Sequence, residues 1–153
     1  METIPQAENL MRQASGLMGQ AERLNLNHPQ TMANCSRAFV LYARAVYLLL
    51  GMDFPEHLED PFLAGQDGSQ AVGAEAARLA KAPLPMLFPY AEDLPRVIVQ
   101  AAFWSSFSGL AKTASQEADL RPGVFFGKAE ASCAVAQARQ CHTIVKSLID
   151  LKK

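Results

Sequence analysis

Apolar residues recur along this chain at steps of three and four, the spacing of one helix face, and proline and glycine divide the pattern into long segments. The first predicted helix runs from Pro5 to Leu24, with Leu10, Ala14, Leu17, Met18 and Ala21 on one side. Asn25 to Pro29 ends it. The second runs from Gln30 to Leu50 and buries Phe39, Tyr42, Ala43, Val46, Leu49 and Leu50 before Gly51 stops it. Its apolar content makes it the central helix. Arg37 and Arg44 lie seven residues apart, about 700° of rotation, so both leave it in one direction as a basic stripe.

From Asp53 to Pro95 six prolines break the pattern, leaving room for a short helix over Val72 to Lys81. Asp93 then reads as an N-cap with Pro95 in the first turn. A third long helix follows, carrying Val97, Ile98, Ala101, Ala102, Trp104, Phe107, Leu110, Ala111 and Ala114, and Asp119 to Gly123 closes it. The last helix begins at Gly127 or Lys128, with Phe126 and Ala131 spaced as a hydrophobic staple and Glu130 at the third position. Its seam is Ala131, Ala134, Val135, Ala138, Cys141, His142, Val145, Leu148 and Ile149. No alternating strand pattern of useful length occurs. The expected architecture is a single all-α domain over residues 1–153, an up-and-down bundle of four main helices plus a short one.

Composition adds limits. At 153 residues, half of them apolar and 19% charged, the chain can bury a core of its own without a metal. Fourteen basic against fifteen acidic side chains give a net charge of -1, so attraction to nucleic acid requires a local patch. The three cysteines are an odd number, and Cys35 and Cys133 sit among apolar helical positions, which predicts reduced core thiols. An acidic, discontinuous N-terminus is unlike a signal peptide, and Ala38 to Leu50 is too short and too interrupted by Arg44 for a membrane span. A cytoplasmic protein without membrane contact is the expectation.

Few motifs carry chemistry. Cys133, Cys141 and His142 are zinc-ligand types, but eight helical residues hold the two thiols about 12 Å apart, too far to share one ion. Asp53, Glu56, His57, Glu59 and Asp60 lack the repeated spacing of a coordination shell and read as solvated loop charge. No metal or cofactor is expected. There is no Gly-x-Ser-x-Gly turn and no Walker loop; Gly65, Asp67, Gly68 and Ser69 make only a polar turn. Glu92 and Asp93 have no acid or base partner, and capping accounts for Asp93. Trp104 between Ala101 and Phe107 fits a core position better than a base-stacking one.

The stretch AFVLYARAVYLLLGMDFPEHLEDPF resembles the part of HEPN domains (higher eukaryote and prokaryote nucleotide-binding) that runs from a long helix into a turn with Gly, Pro and His. LPRVIVQAAFWSSFSGLAK, then RPGVFFGKAEASCAVAQARQC, is similar to the family's aromatic-bearing helix, Pro-containing loop and alanine-rich last helix. Together these cover about two-thirds of the chain, as patterns of spacing and residue class. The resemblance implies a four- to five-helix bundle that dimerises and serves as a partner of small nucleotidyltransferases, in toxin–antitoxin pairs, or as a metal-independent ribonuclease. In the ribonucleases an Arg and a His separated by four to six residues meet across a dimer cleft. There the cation stabilises the scissile phosphate and the imidazole moves the proton of the attacking 2′-hydroxyl. Here Arg139 and His142 have only two residues between them, while Arg23 and His28 have the spacing but lie at the end of the first helix.

The resemblance therefore implies a HEPN-like module, a homodimer, that binds a protein partner such as a nucleotidyltransferase, or a nucleotide-containing ligand, without catalysis of its own. Arg37, Arg44, Arg96, Trp104 and Lys112 are its candidate binding residues. The alternatives are a ribonuclease acting on RNA through Arg139 with His142 or Arg23 with His28, and a small-ligand bundle with a pocket between the second and third long helices.

Overall fold

Among the described residues the fold has five α-helices: α1 (Thr3–Arg23), α2 (His28–Leu49), α3 (Gly68–Lys81), α4 (Leu94–Ala118) and α5 (Lys128–Lys152). The computed structural model describes residues 2–23, 28–55 and 68–153, with no strand among them. Short 3₁₀ turns over Ala91–Asp93 and Pro122–Val124 lead into α4 and α5.

Directions follow from side-chain contacts. Cys35 meets Met18 and Thr31 donates to the Ala21 carbonyl, so α2 runs against α1. Cys141 meets Gln100 and Trp104 meets Gln137, so α5 runs against α4. Arg139 holds Glu22, and Lys153 holds Glu8 at 2.7 Å, so α5 runs against α1 as well. The result is the expected up-and-down four-helix bundle, with α3 added on α4 in the connection that leaves α2. Central α2 touches α1, α4 and α5, and Met32, Cys35, Phe39, Tyr42, Val46 and Tyr47 are all fully buried along it.

Helix ends explain the boundaries. Gly51 adopts φ 69°, a left-handed conformation that favours glycine. Its N–H donates to the Leu48 carbonyl and that of Met52 to Tyr47, a Schellman closure of α2. Asp119 closes α4 with φ 53°, and the Leu120 N–H reaches the Ser115 carbonyl. At the start of α5 the Glu130 carboxylate accepts the Gly127 N–H at 3.4 Å, a contact beyond the staple and dipole placement that the sequence suggests.

Local expectations are corrected at four places. Asp93 makes no side-chain cap; it sits in the 3₁₀ turn with helical backbone angles and faces Arg96 at 3.8 Å. The short third element begins a turn earlier than Val72, at Gly68. Cys133 is exposed, whereas Cys141, on the seam of α5, is buried as Cys35 is. Leu110 is also 53% exposed, outside the stripe that packs inward.

Candidate functional site

Helices α1 and α4 stand on either side of α2, and over one stretch their facing residues are short. Gly16 on α1, Ala33 and Ser36 on α2, and Ser105 and Ser108 on α4 leave a groove of about 760 Å³. Its floor is the α2 face carrying Arg37, Val40, Leu41 and Arg44, two helical turns that the seven-residue spacing brings to one side. Gln13, Leu17 and Gln20 from α1 complete the wall.

The groove's chemistry is one-sided. Its described lining holds two guanidinium groups, two carboxamides and three hydroxyls over an apolar patch. Arg37 is exposed, and the Arg44 guanidinium stacks 4.5 Å from the Phe54 ring centre, which fixes where that charge stands. Neither His nor Cys nor an acidic side chain is among the described residues lining the groove. Arg37 can meet an anion there, and none of the described lining side chains is an imidazole, thiol or carboxyl that could move a proton.

The remaining candidates are scattered. Trp104 is only 3% exposed: Phe39 stacks with its ring, Phe103 and Phe107 meet it edge to face, and its indole N–H donates to Gln137 Oε1 at 2.8 Å. It is a core residue with no open face for a ligand, which removes it from the binding candidates. Arg96 and Lys112 are exposed sixteen residues apart on α4, about 24 Å along the axis, so they cannot share a small ligand, and neither lines the groove.

At the joint of α1, α2 and α5 a second cleft, also about 760 Å³, is lined by Glu22, His28, Thr31, Lys128, Ser132 and Arg139. A neighbouring recess shares Glu22 and Arg139 and adds Tyr42, His142 and Thr143. Arg139 thus lines one space with His28 and the other with His142, and its pairing with His28 is one that spacing along the chain did not suggest. Arg23, at the end of α1, lines neither space. Arg139 is already engaged by Glu22, at 3.0 Å through Nε. His142 Nδ1 lies 3.2 Å from the Tyr42 hydroxyl with the rings edge to face, and burial, with Lys146 adding to it, pushes the imidazole below its usual range.

Among the described residues no group of three or more His, Cys, Asp or Glu side chains could hold a metal ion. Of the acidic loop cluster, Asp53 is described and exposed, while Glu56, His57, Glu59 and Asp60 lie outside the described residues, as do Gly65 and Asp67 of the polar turn. No described helix is long and apolar enough to cross a membrane. No protein-family model matches the chain, and no curated protein or solved structure matches it.

Proposed function

We propose that this chain is a HEPN-like helical module that binds a nucleotide-containing ligand in the groove over α2, without catalysis of its own. The observation that carries this reading is the convergence of Arg37 and Arg44 on one concave space whose other described walls are carboxamides, hydroxyls and apolar side chains. Guanidinium groups form charge-assisted hydrogen bonds with phosphate. The carboxamides of Gln13 and Gln20 and the hydroxyls of Ser105 and Ser108 match the polar edges of a ribose and base, and Leu17, Val40 and Leu41 offer an apolar floor. A concave space of this size suits a small ligand better than the surface of a nucleotidyltransferase. It also unites the nucleotide reading with the small-ligand alternative, since α2 and α4 form two of its sides.

Titration calorimetry tests it. ADP binds the intact chain, adenosine binds at least about tenfold more weakly, and ADP affinity falls as salt rises. Arg37→Ala weakens ADP by about tenfold, the loss of one charged contact. Gly16→Glu does the same by adding a carboxylate where a Cβ meets nothing within 4 Å, in a helix position that glycine does not favour. Failure of ADP to bind, or equal binding by both variants with unchanged circular dichroism, would overturn the proposal.

One observation favours a ribonuclease instead: Arg139 stands between the recesses of His28 and His142. Against it, Glu22 holds the cation and Tyr42 the imidazole. RNA incubated with pure protein is expected to stay intact. Specific cleavage that disappears in an Arg139→Ala, His142→Ala variant would replace the binding-only reading with this one.

A further inference from the structure

Helix α4 is apolar on its outer side as well as its inner one. Val99, Phe103 and Leu110 are 44%, 54% and 53% exposed, at steps of four and seven, with the small Ser106 between them. At 100° per residue Arg96, Val99, Phe103, Ser106, Leu110, Ala114 and Glu117 fall within a sector of about 80°. An apolar stripe that is flanked by charge and faces away from the core is the mark of an interface.

The order of residues along that stripe says what fits it. Reversing the helix about a point between Ser106 and Phe107 sets position 103 opposite 110, 99 opposite 114 and 96 opposite 117. Every apolar residue then meets an apolar residue, and Arg96 meets an acid. Arg96 is exposed, with its own Asp93 only at 3.8 Å, and Glu117 is exposed. The stripe is complementary to itself in the antiparallel sense, which is the requirement of a two-fold contact between identical chains.

We propose that this face docks a second copy of the chain, α4 against α4 antiparallel, with Phe103 on the partner's Leu110 and Arg96 paired with the partner's Glu117. Each contact occurs twice, and parallel packing would instead set like charges together at each end. Ser105 and Ser108 turn toward the α2 groove, about 160° from Phe103 in the case of Ser105, so the dimer surface and the ligand groove are separate. The inference does not depend on the ligand reading.

Sedimentation equilibrium of the whole chain tests it, with circular dichroism to verify folding. The expected mass is twice that of one chain. Phe103→Lys, at an already exposed position, raises the dimer dissociation constant at least about tenfold. Glu117→Arg weakens the dimer by opposing Arg96, and adding Arg96→Glu to it restores association, a rescue that only antiparallel register explains. A monomer at every concentration, or a dimer indifferent to Phe103→Lys, would overturn the proposal. A dimer that Phe103→Lys weakens but the double charge exchange fails to restore would overturn its register.

Discussion

His142 is where the bundle's stability meets pH. Its ring is half-buried against Tyr42, and burial first, then the Lys146 charge, holds its pKa below the usual value of about 6.5. Between that lowered value and about 6.5 the unfolded chain binds a proton that the folded chain does not, so stability is lost as pH falls through this window. Urea midpoints measured from about pH 7.5 to about pH 5 should therefore decline. His142→Gln should decline less steeply, and identical slopes would refute the assignment. The thiols divide in the same manner. Burial pushes Cys35 up to about 11, with the Glu22 charge adding to it, and Cys141 up to about 12, with Arg96 opposing, whereas Cys133 is exposed. A disulfide reagent should titrate one thiol quickly in the native protein and the other two only on unfolding, since the thiolate is the reacting form. Three equal rates would contradict this burial. The misplacing of Cys133 has a plain physical origin. Alanine lines both sides of α5 there, buried at Ala131 and Ala134 and exposed at Ala129 and Ala136, so periodicity could not separate the two faces around the thiol.

At the scale of elements, α3 is held by a buried acid. Glu75 is 6% exposed; the Tyr47 hydroxyl donates to its Oε1 at 3.2 Å, and Arg78 grips both oxygens at 2.7 Å. A buried carboxylate is tolerated only with such partners. Tyr47→Phe should cost about 1.5–3 kcal/mol, the range for a hydrogen bond to a charged group. Glu75→Ala should cost at least as much, because it leaves the Tyr47 hydroxyl buried and unpaired. Urea denaturation measures both, and a Glu75→Ala protein as stable as the parent would show that α3 is held by apolar contacts alone. Periodicity made α1, α2, α4 and α5 legible because each buries a face over many turns, and Gly51 marked its own turn. The start of α3 and the true role of Asp93 were not legible. Gly68 and Gly73 are poor helix formers inside α3, and Asp93 lies in a 3₁₀ turn that leads into α4, facing Arg96.

For the molecule as a whole, half of the candidate site could be read from the chain. The Arg37 and Arg44 stripe follows from a seven-residue spacing on one helix. The other walls, Gln13 and Gln20 on α1 and Ser105 and Ser108 on α4, become a groove only once α1 and α4 are placed beside α2, and their polar side chains resemble any exposed surface. The Glu22 to Arg139 pair, which ties α1 to α5 across more than a hundred residues, left no local signal either. With a near-neutral net charge, binding of an anion must come from where the charges stand and not from their sum. The most direct test is a two-dimensional NMR titration of the ¹⁵N-labelled chain with ADP. The account predicts that the amides that shift lie along Gln13 to Gln20, Ala33 to Arg44 and Ser105 to Ser108. Shifts gathered instead around His28, Lys128 and Arg139, or none at all, would contradict it.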